Sequence, residues 1–459
     1  MRIEYEDGEI LEIVSDEKWK FTMNGPIRAN NEYDGEIYDA RMEQDGWAQA
    51  GFDDSYWQPV YVVDGPGGRL VSQMIEPIQV TETITPIAIT NPQPGIYVYD
   101  MGQNMVGWVR LTVKGPRGTR VTLKFAEVLD KNGMINQANL RSAKATDVYI
   151  LKGQGIEVWE PRFTYHGFRY VEVSGFPGKP TLSSIQGRVV HDALEKTGQF
   201  SCSNELINRI YNNIVWGIRG NYRSIPTDCP QRDERQGWLG DRSSESKAET
   251  YIFNVAQFYS KWLDNIKNSQ SEKGEIPDVA PAYWPFYTNN VTWPSTYLHV
   301  AHYLYQQYGD KRILQKHYSS MKKWIDFMMG YLKDGLMPRD QYGDWCVPPE
   351  SPQLIHTQDP SRKTSGELLG TTYFYHDLRL MTQYANILGH TEDAKQFVQL
   401  AENMKNAFNK KFFDKQANLY SNGTQTSSIL PLAFGMVPKE HIQPVFNNCL
   451  LYTSPSPRD

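Results

Sequence analysis

The chain has 459 residues, more than a single hydrophobic core ordinarily organises, so its length predicts two or three domains. Its net charge of −6, with both signs interspersed, gives no reason to expect binding to nucleic acid or another polyanion. No apolar run approaches the ~18 residues of a membrane span, and the aromatic content of 13% favours large cores or ring faces that stack on ligands.

Residues 1–75 are rich in Gly, Asp, Trp and Tyr. Their short alternating runs, as in GWAQAGFDDSYWQPV (46–60), predict a small antiparallel β domain. Because the chain opens inside an expected strand at Ile3–Tyr5, we expect this N-terminal β-sandwich domain to be partial. The opening residues MRIEYEDGEI do not resemble a signal peptide, which favours a cytoplasmic location.

Residues 76–188 alternate apolar and polar side chains more clearly. The alternation at Val109, Leu111 and Val113 is typical of strands, and Gly-rich turns such as Gly115-Pro116 separate the runs. An antiparallel β-sandwich of about a hundred residues is the simplest interpretation.

The apolar period changes to three and four residues in the stretch 189–449. The first helix is expected behind an N-cap at Ser203, and the second from Ser243 or Ser244 to Ile266. Others are expected at 295–308, 311–332, 365–388, 391–411 and 425–434, with breaks such as Tyr308-Gly309-Asp310 and Leu388-Gly389. About seven successive helices predict helix-on-helix packing with decorated loops. The last residues, 450–459, resemble translated adapter sequence, and we expect them to have no function.

The loop Asp228–Asp241, DCPQRDERQGWLGD, concentrates four carboxylates, two arginines and Trp238 between two predicted helices. It could be a charged surface turn. A tryptophan at its tip and arginines able to fix carboxylates in place favour an active-site loop instead.

Two later loops repeat the pairing of carboxylates with tryptophan: 274–294, with Asp278, Trp284 and Trp293, and 340–350, with Asp344, Trp345 and Glu350. Glycoside hydrolysis needs one acid to protonate the leaving oxygen, another carboxylate to activate water or attack, and flat rings to bind the sugar. Any one of these tryptophans could be a core residue. Their recurrence in three successive loops favours a carbohydrate site.

Other candidates are weaker. Cys229 lies in the central loop without a nearby histidine to activate it, and the remaining cysteines have no metal-ligand spacing. His299 and His302 are three residues apart, but no acidic ligand neighbours them, so packing or capping is the favoured role. We predict no metal and no cofactor.

The loop 228–241 closely resembles the signature of bacterial α-L-rhamnosidases of glycoside hydrolase family 78. Further segments resemble the same family and extend the resemblance over nearly the whole chain: GPIRANNEYDGEIYDAR (25–41), YDMGQNMVGWVRL (99–111), KFAEVLDKNG (124–133) and FTYHGFRYVEV (163–173). The resemblance implies β-sandwich domains followed by an (α/α)6 barrel. This chain would hold an incomplete barrel over 189–449.

The resemblance also implies roles for individual residues. Glu234 would be the general acid of an inverting reaction on terminal α-L-rhamnose in plant glycosides or polysaccharides. Asp228, Arg232 and Asp241 would bind sugar hydroxyls, while Asp233 and Arg235 would brace the loop. Trp238, Trp293 and Trp345 would wall the pocket.

The family's general base is expected beyond this sequence, so the chain by itself is expected to be inactive. Two alternatives remain open at this point. One is a non-catalytic rhamnose- or glycan-binding protein, and the other is a different (α/α)6 glycosidase or a polysaccharide lyase. The sequence does not indicate the oligomeric state or the aglycone.

Overall fold

The computed structural model describes residues 1–344 and 363–451 and divides into two compact units. A β-rich unit contains Met1–Gln73, Ile78–His191 and the short segment Cys229–Glu234. A helical unit contains Met74–Pro77, Asp192–Asp228 and the described residues from Arg235 onward. The predicted order, β-rich residues followed by helices, is confirmed.

The β-rich unit is built from sixteen strands among the described residues. They are β1 Arg2–Glu4, β2 Ile10–Glu12, β3 Lys20–Phe21, β4 Ile27–Asn31, β5 Gly35–Asp39, β6 Gln58–Pro59, β7 Ile78–Ile84, β8 Ala88–Gln93, β9 Ile96–Val113, β10 Arg120–Ala126, β11 Val128–Leu129, β12 Ile135–Asn136, β13 Thr146–Ile150, β14 Glu157–Trp159, β15 His166–Ser174 and β16 Ile185–Asp192.

Ten of these strands form one sheet in the order β4-β5-β13-β10-β15-β9-β16-β7, with β8 and β14 also paired to β9. Alternation produces its core: in β10, Val121, Leu123 and Phe125 are fully buried, while the residues between them are partly exposed. β5 pairs in parallel with β13, so Ile37 lies opposite Val148. The sheet therefore includes strands from both sides of the boundary predicted near residue 75.

The helical unit contains nine α-helices within the described part of the chain. They are α1 Glu205–Gly220, α2 Leu239–Glu249, α3 Ala256–Ser269, α4 Thr296–Tyr308, α5 Lys311–Met329, α6 Gly366–Leu388, α7 Thr391–Phe412, α8 Gln425–Ala433 and α9 Ile442–Leu451, with a small hairpin of β17 Phe413–Asp414 and β18 Leu419–Tyr420 between α7 and α8. None of the described helices is both long and apolar enough to cross a membrane.

Short breaks join the helices into hairpins. Gly309 and Gly389 end α4 and α6 in the left-handed conformation, with φ of 69° and 82°. The Asp310 side chain then accepts a hydrogen bond from the Arg312 amide and caps α5. Both breaks were predicted from the sequence.

The second predicted helix is wrong in two respects. It begins at Leu239 rather than at Ser243 or Ser244, and it is two helices, α2 and α3. The break arises because the backbone leaves the helix to pair elsewhere: the Thr197 amide donates to Ile252 O (2.9 Å) and the Asn254 amide to Glu195 O (2.9 Å). The N-cap of α1 is Asn204 rather than Ser203.

Candidate active site

The predicted active-site loop connects α1 to α2. Asp228 and Gln236 close it: the Asp228 amide donates to Gln236 O (2.9 Å), and the Gln236 amide donates to Asp228 Oδ1 (2.7 Å). The residues between them form the body of the loop. Arg235 is buried and has a left-handed backbone conformation with φ 54°, which reverses the direction of the chain towards Gln236. The loop is therefore a fixed structure.

Glu234 is held by arginines within the β-rich unit. Its Oε2 accepts hydrogen bonds from Arg232 Nε (2.9 Å) and pairs with Arg232 Nη2 (2.8 Å). Arg141 Nη1, from the segment between β12 and β13, lies 3.1 Å from the same oxygen. The Glu234 side chain is only 12% exposed, so this carboxylate is oriented by two guanidinium groups in a largely buried position.

The neighbours of Glu234 are held by the same unit. Ser142 donates hydrogen bonds from its hydroxyl and its amide to Asp233 Oδ2, and the hydroxyl bond lowers the pKa of the Asp233 carboxyl. The Tyr33 hydroxyl donates to the backbone carbonyl of Glu234 (3.0 Å). The Asp233-Glu234 pair is thus fixed at side chains and at the backbone.

A buried ion pair holds the other end of the loop, within the helical unit. The Glu249 carboxylate, fully buried on α2, pairs with Arg242 and accepts hydrogen bonds from the hydroxyls of Tyr222 and Tyr259. Arg242 Nη2 in turn donates to Thr227 O (2.9 Å), next to Asp228. This network fixes the point at which the loop leaves the helices.

Trp238, at the N-cap position of α2, belongs to an aromatic cluster. Its ring stacks on Phe286 with centroids 5.8 Å apart, and it forms T-shaped pairs with Trp284 and Tyr342 at centroid distances of 6.3 and 6.4 Å. An antiparallel bridge between Trp238 and Val279 holds the backbone beside this cluster.

Trp293 joins the cluster through Tyr342, whose ring stacks on it at 4.4 Å. Gly240 lies directly against the Trp293 indole: a Cβ built on this glycine would be 2.1 Å from a ring carbon. The structure therefore brings the predicted Trp238 and Trp293 together with Tyr342 between them, and the close approach of α2 to Trp293 requires glycine at position 240.

A buried carboxyl supports the cluster. Asp278 Oδ2 accepts hydrogen bonds from the Tyr342 hydroxyl (2.9 Å) and the Thr288 hydroxyl (2.7 Å). Its Oδ1 is buried with no hydrogen-bond partner among the described residues. Burial raises the pKa of Asp278 to about 6. Asp278 does not face solvent, and its hydrogen bond to the Tyr342 hydroxyl orients that ring.

The structure also describes Asp241, Asp344 and His299. Asp241 lies in the first turn of α2, and Asp344 accepts hydrogen bonds from the Thr364 amide and the Thr426 hydroxyl. His299 is buried, with Nδ1 3.1 Å from the Ser243 hydroxyl and Nε2 3.4 Å from Asp377 Oδ1. Trp345 and Glu350 lie outside the described residues.

Sequence reasoning missed several residues at these sites. Arg141, Ser142 and Tyr33 lie far from the loop in the sequence, and nothing local marks them as its partners. Tyr342 carried a signal, since it is an aromatic residue inside the predicted loop 340–350 and lies close to Asp344.

Oriented carboxylates and aromatic rings are the groups with which proteins bind and cleave sugars. The described residues thus define a class of fold in which a β-rich unit accompanies a unit of α-helical hairpins, with such groups in the loops.

Comparison with known families identifies the group within this class. Family models described as bacterial alpha-L-rhamnosidase 6 hairpin glycosidase domain, bacterial alpha-L-rhamnosidase concanavalin-like domain and alpha-L-rhamnosidase N-terminal domain match residues 195–453, 90–191 and 1–82. The chain belongs to the bacterial α-L-rhamnosidase family, as its motifs predicted.

Individual relatives agree. An alpha-L-rhamnosidase of Streptomyces avermitilis is 39% identical over 95% of this chain and 41% of its own length. The structure is similar to that of an alpha-L-rhamnosidase from Dictyoglumus thermophilum, with a TM-score of 0.93 and 45% identity over 98% of this chain and 50% of that one. It is also similar to the Streptomyces avermitilis enzyme complexed with L-rhamnose, with a TM-score of 0.92 and 38% identity over 98% of this chain and 42% of that one. The chain thus spans about half the length of these relatives.

Proposed function

We propose that the whole protein to which this chain belongs is a glycoside hydrolase that removes terminal α-L-rhamnose with inversion at the anomeric carbon. The observation that carries the proposal is the arginine-held Glu234 in a loop whose sequence resembles the family signature. Plant glycosides and polysaccharides that end in rhamnose are the substrates we expect.

Glu234 is the proposed proton donor to the glycosidic oxygen. Its side chain is largely buried and oriented, as a general acid must be if it is to meet one oxygen of the substrate. An inverting reaction also needs a carboxylate about 6.5–9.5 Å away that activates water on the opposite face of the sugar. That base remains an expectation from the family resemblance.

The sugar is proposed to bind at side chains of the same loop and of the aromatic cluster. Asp228, Asp241 and Arg232 offer hydrogen-bonding groups to hydroxyls, and Trp238 and Trp293 offer ring faces. The pairing of Arg232 with Glu234 adds a second task for this arginine, the orientation of the acid.

The test uses the full-length protein and two substrates that differ in leaving group, an activated aryl α-L-rhamnoside and an alkyl α-L-rhamnoside. Glu234→Gln is expected to lower kcat/KM on the alkyl substrate by about 10²–10⁴-fold and on the aryl substrate far less, because a good leaving group needs little protonation. NMR of the first turnovers should show β-L-rhamnose as the initial product.

Glu392→Gln is the matched control, since Glu392 is a glutamate of α7 with a side chain 77% exposed. It should leave both rates unchanged. An equal loss on both substrates for Glu234→Gln would contradict the role of proton donor. Binding of L-rhamnose by calorimetry without any turnover would favour the non-catalytic alternative.

A further inference from the structure

Within the β-rich unit, the segment between β12 and β13 contacts Glu234. Arg141 Nη1 lies 3.1 Å from Glu234 Oε2, the oxygen that Arg232 also contacts. We propose that Arg141 is a positioning residue for the acid, so that the β-rich unit contributes to the chemistry. This inference rests on the proposed role of Glu234 as proton donor.

The backbone at Arg141 is in an uncommon conformation. It has φ 57° and ψ −117°, a region that side-chain-bearing residues avoid, and it follows the short 3-10 helix Ala138–Leu140. Such strain persists only where surrounding structure enforces it, and it concentrates at functional sites.

The surroundings of Arg141 do enforce this conformation. Leu140 and Ala143, on either side, are buried, and Gln137 Nε2 donates hydrogen bonds to Phe125 O (2.9 Å) and Lys144 O (3.1 Å). The Ala145 amide donates to Tyr33 O (3.1 Å). The turn is therefore anchored at both ends while the Arg141 side chain, 51% exposed, extends to the carboxylate.

Charge gives the contact a chemical consequence. When a general acid gives up its proton, negative charge develops on its carboxylate in the transition state. Guanidinium groups that are already in place stabilise that charge without further reorganisation. Arg232 and Arg141 share Oε2, which also fixes the direction in which the carboxyl group faces. Arg141 should thus matter most when the leaving group depends on protonation.

The alternative is that the half-exposed ion pair of Arg141 with Glu234 has no role in catalysis, as is usual for ion pairs at a protein surface. The β-rich unit offers a matched control for it. Arg169, on strand β15, pairs with Asp100 at 2.8 Å, and its side chain is 38% exposed. Arg169→Ala removes a comparable ion pair from the same unit.

The experiment measures kcat/KM of the full-length protein on the alkyl and activated aryl α-L-rhamnosides. Arg141→Ala is expected to lower the alkyl rate about 10–100-fold and the aryl rate no more than about 3-fold. Arg141→Lys should retain part of the alkyl rate, and added guanidinium ion should restore part of it to Arg141→Ala. Arg169→Ala should leave both rates unchanged.

The outcomes separate this inference from the proposed function. Suppose that Glu234→Gln lowers kcat/KM more on the alkyl than on the aryl rhamnoside. If Arg141→Ala then lowers kcat/KM equally on both substrates, or on neither, only the proposed role of Arg141 is overturned. If the full-length protein does not hydrolyse rhamnosides, the proposed function and this inference both fail. A Tm within about 2 °C of the unaltered protein ensures that the rates report the site.

Discussion

Residues 229–234 and 235–241 are consecutive in one loop, yet different forces hold them. The first set is fixed by charged and polar groups of the β-rich unit, with Arg141 and Arg232 on Glu234 and Ser142 on Asp233. The second set is fixed by packing within the helical unit, with Trp238 among rings and Gly240 against Trp293.

The difference matches what each set is proposed to do. A proton donor becomes negatively charged during the reaction, and guanidinium groups that are already in place stabilise that charge. A sugar-binding wall keeps one shape, which packed rings provide because interiors resist deformation. One short loop can therefore serve two requirements because its two halves draw on two kinds of support.

The largest effect is expected when the buried ion pair that holds the loop within the helical unit is removed. Glu249→Ala leaves Arg242 buried without its main partner, and the free energy of unfolding should fall by about 3–5 kcal/mol. Chemical denaturation measures the change. Glu245→Ala is the control, because Glu245 pairs with the same arginine at 2.8 Å but is exposed. It should cost less than about 1 kcal/mol, and similar losses in both variants would contradict the importance of burial.

The buried carboxyl group of Asp278, which supports the aromatic cluster, predicts that the stability of the fold depends on pH. Burial raises the pKa of Asp278 from 3.8 to about 6, so between these values the folded state binds more protons than the unfolded state. Stability attributable to Asp278 is thus fully present below about pH 4 and is lost as pH rises through 6, by at most about 3 kcal/mol.

Asp278→Asn, which keeps an oxygen for the Tyr342 and Thr288 hydroxyls, should remove this loss. Its Tm should match the unaltered protein near pH 4 and exceed it at pH 7. Asp64→Asn, in an exposed loop, should change the Tm at neither pH. A Tm difference that is the same at both pH values would show that Asp278 does not titrate as inferred.

A smaller effect is expected where α2 meets Trp293. Gly240→Ala places a methyl group 2.1 Å from the indole, and the shift it forces should cost about 1–3 kcal/mol and raise KM for rhamnosides. Gly217→Ala, in α1 with open space around its Cβ position, should be neutral or slightly stabilising. Unchanged KM in Gly240→Ala would separate Trp293 from the sugar site.

The smallest effect on stability is expected for the residues of the loop that are held by the β-rich unit. Tyr33→Phe removes one hydrogen bond to the Glu234 carbonyl and should cost about 0.5–1.5 kcal/mol. Its rate loss should be greater on the alkyl than on the aryl rhamnoside. Tyr56→Phe, whose hydroxyl contacts Gln44 on the exposed surface, should show no such difference.

Local signals predicted much of this molecule. The alternation of β10 and the breaks at Gly309 and Gly389 depend on neighbouring residues, so they are legible in the sequence. The loop 228–241 was found because its charged residues and tryptophan are contiguous.

Distant contacts could not be predicted in this way. The division of α2 from α3 depends on hydrogen bonds to residues 195–198, which compete with the helix only once the chain has folded. The contacts of Glu234 with Arg141 and Tyr33 span about 90 and 200 residues, and no periodic pattern encodes them. Side-chain roles at the site therefore needed the three-dimensional arrangement.

The parallel pairing of β5 with β13 limits how this protein can be shortened for production. Removing the first 75 residues would strip β4 and β5 from the sheet and leave the backbone groups of β13 along one edge without partners. Such an edge is a template for strand addition by another molecule. A shortened protein that starts at β7 is therefore expected to aggregate, so the N-terminal residues belong in any version made for crystallisation or industrial use.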